Sequence, residues 1–264
     1  MKPYFGITDF TCLNEVLAML MVMRAHRPTP EHVLQVGVMM SRKTLYDIPT
    51  KWADAWLAKE NIKQVLSDPR AYNCLHYADY EKEEDENLDL SLVRAMFYGG
   101  PQLHALQLDM IWPNPEKVFL AKQHAWETVQ KTPEIILQVN APALERVRND
   151  SERLVTMVLL YTDAIDRILL DTSMGQGKSL DPKMLLPFIR AAKEKLPKLG
   201  VSVAGGLSAE TMHLMEPIWK EFPDVSIDAQ GGLRPSRNAM DPIDWDRADR
   251  YLRVAGTTNK KYQQ

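Results

Sequence analysis

Short runs of aliphatic and β-branched residues alternate along this chain with longer stretches whose apolar positions recur every three to four residues. That alternation is the signature of repeated strand–helix units. Tyr4 to Ile7 predicts a first strand, with Thr8 and Asp9 placed to cap a helix from Leu13 to Met23. Val33 to Met39 predicts a second strand ending in the polar turn Ser41-Arg42-Lys43, Trp52 to Lys59 a helix, and Ile62 to Leu66 a short third strand. Ser67 to Asp89 reads as irregular and carries an acidic run, Glu81 to Glu86, expected to be a solvated loop. Leu90 to Phe97 predicts the next helix, Ala105 to Asp109 a strand and Pro115 to Thr128 a helix. The nearly unbroken EIILQVN then predicts a strand ending at Asn140. A helix from Ala143 to Leu160, whole or broken near Asn149-Asp150, leads to a strand from Arg167 into Asp171. Pro182 to Lys195 is amphipathic, Val201 to Ala204 a strand, Ala209 to Glu221 a helix, Val225 to Asp228 a strand, and Ile243 to Val254 the last helix.

Eight strands dominated by Val, Ile and Leu, each followed by a helix, match an α/β fold in which a parallel sheet closes into a (β/α)8 TIM barrel. The competitor is an open doubly wound sheet, whose nucleotide-binding form needs a glycine-rich turn after the first strand. Gly6 is the only glycine before Gly37, so that fingerprint is absent. The barrel is expected to occupy residues 1–256 as one domain, with a frayed polar tail over 257–264.

Composition narrows the function. The 264 residues carry 32 basic and 35 acidic side chains, a net charge of −3, which gives no general pull towards nucleic acid or anionic lipid. No basic stripe interleaved with aromatics marks a nucleic-acid surface, and no apolar run reaches the length of a membrane span. Two cysteines, Cys12 and Cys74, allow at most one bridge, which points to a reducing, cytoplasmic setting. The six histidines show no paired spacing, so neither a metal nor another cofactor is expected. Six tryptophans and fourteen methionines fit core filling as well as a homo-oligomer interface.

In a parallel barrel the ligand lies at the carboxyl ends of the strands. The seventh strand ends in Gly205-Gly206-Leu207-Ser208 and the eighth in Asp228-Ala229-Gln230-Gly231-Gly232-Leu233-Arg234. Glycine pairs let backbone N–H groups approach an anion closely, and a barrel places its phosphate at these two strand ends. The bland reading is that the glycines merely begin turns. The sixth strand runs into Gly175-Gln176-Gly177-Lys178-Ser179, where Thr172 stands in place of the first glycine of a nucleotide-binding P-loop. A loop folding over a ligand, with Lys178 near the mouth, fits better than ATP hydrolysis. Asp171, at the end of the sixth strand, is the leading acid–base candidate, because carboxylates at the ends of apolar strands lose solvent and hold their protons more tightly. A loop-pinning Asp is its alternative. Asp109 faces the same mouth, and Asp228 reads as bonded to loop N–H groups.

Several of these segments resemble phosphoribosylanthranilate isomerase. Tyr4-Phe5-Gly6-Ile7-Thr8 resembles that family's Lys-(Ile/Val)-Cys-Gly-(Ile/Leu)-Thr, and Gln107-Leu108-Asp109-Met110 loosely resembles Gln-Leu-His-Gly. Leu169-Leu170-Asp171 with Gly175 to Asp181 resembles Leu-Leu-Asp followed by Gly-x-Gly-Lys/Gln-Thr/Ser-Phe-Asp. Ala204-Gly205-Gly206-Leu207 reproduces the phosphate motif, and Ile227 to Arg234 is similar to the last strand end. The resemblance implies an Amadori rearrangement with Asp171 as the acid. Phe5 stands where that family has its basic cysteine, and Arg234 replaces a carboxylate near the mouth. The expectation is therefore a divergent barrel that binds a phosphorylated small molecule through Gly175, Gly177, Gly205, Gly206, Ser208, Gly231 and Gly232. Arg42, Gln107, Lys178, Asp228 and Arg234 would hold the remainder of the ligand, and Asp171, with Asp109 or Asp9, would serve an isomerase or lyase. The alternative is a catalytically degenerate barrel that keeps the anion site for binding or regulation.

Overall fold

Eight parallel strands pair in sequence order and close on themselves, β1-β2-β3-β4-β5-β6-β7-β8, with β1 also paired to β8. The computed structural model describes residues 1–26, 32–51, 55–81, 85–171, 179–238 and 240–263. The strands are β1 (Tyr4–Thr8), β2 (Val33–Ser41), β3 (Tyr72–Ala78), β4 (Ala105–Asp109), β5 (Glu134–Asn140), β6 (Arg167–Asp171), β7 (Gly200–Ala204) and β8 (Ser226–Ala229). Outside them lie α1 (Leu13–Ala25), α2 (Arg42–Leu45), α3 (Lys59–Val65), α4 (Leu88–Gly99), α5 (Pro115–Val129) and α6 (Ala141–Arg146). The ring is completed by α7 (Ser151–Leu159), α8 (Pro182–Lys195), α9 (Glu216–Glu221) and α10 (Trp245–Lys260).

The alternation of each strand sorts its side chains into two cores. One set, including Phe5, Ile7, Val36, Ile168 and Val203, faces outward and packs beneath the helices. The other set points into the barrel, where Tyr4, Tyr72, Cys74, Ala105, Ile136 and Leu169 form a separate buried cluster. At the N-terminal end Arg167 is 2% exposed; it donates to Ser226 Oγ and Lys2 O, each at 3.0 Å, and lies 4.8 Å from the Tyr4 ring centre. The inward positions nearer the C-terminal ends are polar: Thr8, His76, Gln107, Gln138, Asp171 and Asp228 are all buried.

Four sequence expectations are corrected. Ile62 to Leu66 belongs to α3 and its cap, and the third strand is β3. Ile62, Val65 and Leu66 are the buried positions, a helical spacing rather than an alternating one. The helix expected over Trp52 to Lys59 begins only at Lys59, with 52–54 outside the described residues. The cap of α1 is Cys12, not Thr8 or Asp9: Glu15 accepts from the Thr11 and Cys12 amides at 2.7 and 3.0 Å. The tail does not fray at 257, because α10 runs to Lys260, with Asn259 fully buried and donating to Pro223 O at 3.0 Å.

Candidate functional site

The C-terminal strand ends surround a cavity of about 780 Å3. Asp109 ends β4, Asp171 ends β6, and Asp228 lies in β8; all three line the cavity. Asp171 pairs in register with Ala204, and Ala204 with Asp228, so these two carboxylates stand at one level, two strands apart. At roughly 4.8 Å per strand that is about 10 Å between backbones, with both side chains converging on the axis. Thr8 Oγ1 donates to Asp228 Oδ1 or Oδ2, each at 3.1 Å. Gly6 makes this possible, since a Cβ there would stand 2.7 Å from Asp228 Oδ1. Tyr80 donates its phenol to Asp109 and accepts from Asn140 Nδ2 at 2.9 Å.

Burial shifts these groups. The Asp228 carboxyl is pushed up to about 7, first by desolvation and further by the charge of Asp171, against the hydrogen bond from Thr8. Asp109 is pushed up to about 6 by the same two causes, against the Tyr80 hydrogen bond. Two buried carboxyls that hold their protons more tightly than usual therefore share one cavity, a condition suited to proton transfer near neutral pH.

Glycines and basic side chains line the rim on two sides. Gly205 (φ +136°) and Gly206 (φ +55°) line the cavity beside Gly231, and Arg237 lines it from the loop that follows β8. Glycine is required at Gly205, because φ near +136° lies outside the regions that L side chains adopt. Gly232 serves a different need: a Cβ there would lie 2.1 Å from Leu207 O, so its absence lets the β7 and β8 loops meet. The segment after β2 adds Arg42 and Lys43 from α2 and Lys51 beyond it. Arg42 faces Asp85 at 3.6 Å and Lys43 faces Glu81 at 2.9 Å. The expected solvated acidic loop is thus anchored where it is described: Asp85 is buried and accepts from Ser91 Oγ at 2.7 Å.

Of the residues singled out by sequence, Asp171, Asp109, Asp228, Gln107, Arg42, Gly205, Gly206 and Gly231 line this cavity. Gly175, Gly177 and Lys178 lie outside the described residues. Asp9 and Arg234 are corrected: they do not line the cavity but form a buried ion pair behind it. Gln230 also donates to Asp9, at 2.7 Å, and Arg234 Nε donates to Asp241 O at 2.6 Å. Asp9, at φ +86°, is held in this sparsely populated conformation by these bonds and by its amide to Gly37 O at 3.0 Å. Ser208 is likewise outside the lining; its amide donates to Thr211 Oγ1 at 2.9 Å and is not turned to a ligand. Phe5 faces away from the mouth, stacked on His32 at 4.5 Å and packed at 6.0 Å from Trp219. The side chain in the position of the family cysteine thus points into the helical layer.

Sequence reasoning missed Thr8, His76, Tyr80, Gln138 and Arg237, all of which line the cavity. Parity along the first strand would have found Thr8, since its polar side chain stands among apolar outward neighbours. His76 and Tyr80 were hidden by the misplacement of the third strand.

No family model matches the chain, and none of the curated proteins does. Among the solved structures that match is a crystal structure of KGPDC from Streptococcus mutans, with a TM-score of 0.58 and 13% identity over 100% of both chains. That likeness is one of fold. Among the described residues no helix is long and apolar enough to cross a membrane, and no group of His, Cys, Asp and Glu could hold a metal ion. The chain is thus an eight-stranded parallel barrel of the (β/α)8 kind, sharing its architecture with that Streptococcus structure.

Proposed function

We propose that the barrel binds a phosphorylated sugar or related metabolite at its C-terminal mouth and moves a proton on it, as an isomerase or lyase. The observation that carries this reading is the juxtaposition, in one cavity, of a glycine-lined end with Arg237 and a set of buried carboxyls with raised pKa values. Gly205, Gly206 and Gly231 would cradle the phosphate. The organic part would then reach across the mouth towards β3 and β4, and Arg42 could meet a second anionic group. Asp171 would exchange a proton with the substrate, and Asp228, protonated below about pH 7, would supply the complementary one. A strict phosphoribosylanthranilate isomerase mechanism fits less well, because the position of its base faces outward at Phe5.

The test is solvent deuterium wash-in at the carbon beside the carbonyl of ribulose 5-phosphate, followed by NMR. Wild type should exchange that proton, and Asp171→Ala should slow exchange by about 10²–10⁴-fold while changing affinity less than about threefold. Saturable binding without any exchange in wild type, across ketose and aldose phosphates, would reduce the protein to a binding or regulatory barrel.

A further inference from the structure

Beneath the three carboxylates runs a chain of hydrogen bonds that the proton-transfer scheme does not use. Gln138 Nε2 donates to Asp171 Oδ2 at 3.1 Å, Gln107 Nε2 donates to Gln138 Oε1 at 2.9 Å, and Gln107 Nε2 lies 3.1 Å from His76 Nδ1. The direction of the chain is set at its Asp171 end. When Asp171 is ionised its carboxylate only accepts, so in that state Gln138 presents its amide nitrogen to it and its carbonyl to Gln107. Gln107 must then turn its own NH2 group towards both Gln138 and His76. The Nδ1 atom of His76 is left as an acceptor, and the imidazole proton must sit on Nε2.

That Nε2 is buried and has no hydrogen-bond partner, while the His76 ring lines the cavity. The ring reaches this place because β2 carries Gly37 beside it: a Cβ at Gly37 would stand 2.9 Å from Nε2. A buried donor without an acceptor costs about 1–3 kcal/mol, a cost that a bound oxygen would remove. Burial also lowers the His76 pKa to about 3, so the ring offers a neutral N–H rather than a cation. β3 lies across the barrel from β7 and β8, so His76 is at the opposite side from the glycine-lined end.

We infer that His76 is a ligand-contacting residue, locked as the Nε2–H tautomer by Gln107, Gln138 and Asp171, and that it donates to an uncharged hydroxyl or carbonyl oxygen on the organic part of the ligand. The inference rests on the phosphosugar reading above and specifies which side chain reads the sugar rather than the phosphate.

Two measurements test it. Two-bond ¹H–¹⁵N correlation spectra of the wild-type protein should show His76 neutral and protonated at Nε2, and Gln107→Glu should move the proton to Nδ1, since the new carboxylate accepts there. Calorimetric titration with inorganic phosphate and with ribose 5-phosphate, in wild type and His76→Phe, should show phosphate affinity unchanged within twofold and ribose 5-phosphate affinity lowered about tenfold, or about 1.4 kcal/mol. A wild-type Nδ1–H tautomer overturns the inference even if the variant fails to fold. Equal loss for both ligands, or loss for neither, also overturns it while leaving the phosphate site standing. If wild type binds neither compound, the phosphate reading itself fails and the sugar contact falls with it.

Discussion

Asp228 shows how one buried side chain ties the stability of the barrel to its chemistry. Its carboxyl titrates near 7 in the folded protein against an ordinary 3.8 in an unfolded chain. Between those values the unfolded state has lost a proton that the native state keeps, so stability falls as pH rises. The contribution is complete below about pH 4, declines through pH 7 and is level above it. Asp228→Asn should flatten that decline and raise stability at pH 8 by on the order of 2 kcal/mol; urea midpoints at pH 5 and pH 8 in both proteins check it, and an unchanged slope would contradict the assignment. Phe5 illustrates the opposite case, a residue that a motif places in the site and parity removes from it. Phe5→Ala should cost about 3–5 kcal/mol of stability and leave the affinity for a phosphorylated ligand unaltered; a loss of affinity in folded variant protein would return Phe5 to the mouth. The carboxylates were legible in the sequence because each stands at the end of an apolar run. Among the neutral polar side chains Gln107 was legible, but Thr8 and Gln138 were not, because they belong to strands whose outward neighbours are apolar, and only the closed barrel shows which face is interior.

At the scale of elements, the segments that carry the mouth are held by contacts the hydrophobic pattern does not encode. Asp9 follows β1 and Arg234 follows β8, and their buried pair joins the loops across the seam where the sheet closes. Removing one partner strands the other charge away from water. Arg234→Met should therefore destabilise the protein by about 3–5 kcal/mol, and the double variant Asp9→Asn with Arg234→Met should recover part of that loss; thermal denaturation of the wild type, both single variants and the double variant decides it, and additive losses would contradict a paired role. Seven of the eight strands were placed from short apolar runs, most of them of Val, Ile and Leu. β3 did not, because Asn73 and His76 interrupt its apolar character while all seven of its residues are buried. Asn73 Nδ2 donates to Asp68 O and Gln102 O, each at 3.0 Å, so this polar residue is accommodated by loop carbonyls that no local pattern reveals. The run Ile62 to Leu66 competed for the same place only because it is short and carries β-branched residues; its apolar positions 62, 65 and 66 have the helical spacing.

For the whole molecule, the arrangement is a polarised barrel. Its lower interior is closed by aromatic and aliphatic side chains with Arg167 across the end, and its upper interior opens into one carboxylate-lined cavity. Closure of the sheet is what brings β8 beside β1 and sets Asp228 against Thr8, a contact spanning 220 positions of sequence. The central claim is that this cavity takes a phosphorylated ligand with the phosphate at the β7 and β8 ends. The most direct measurement is thermal stabilisation of purified protein, free of co-purified ligand, against ribose 5-phosphate, reduced carboxyphenylamino-deoxyribulose phosphate, ribose and inorganic phosphate, in wild type and Arg237→Gln. The account predicts saturable stabilisation by at least one phosphorylated compound beyond that of inorganic phosphate, none by ribose, and weakening of the effect in Arg237→Gln. Absence of any shift beyond buffer controls, or equal shifts with ribose and its phosphate, would contradict it.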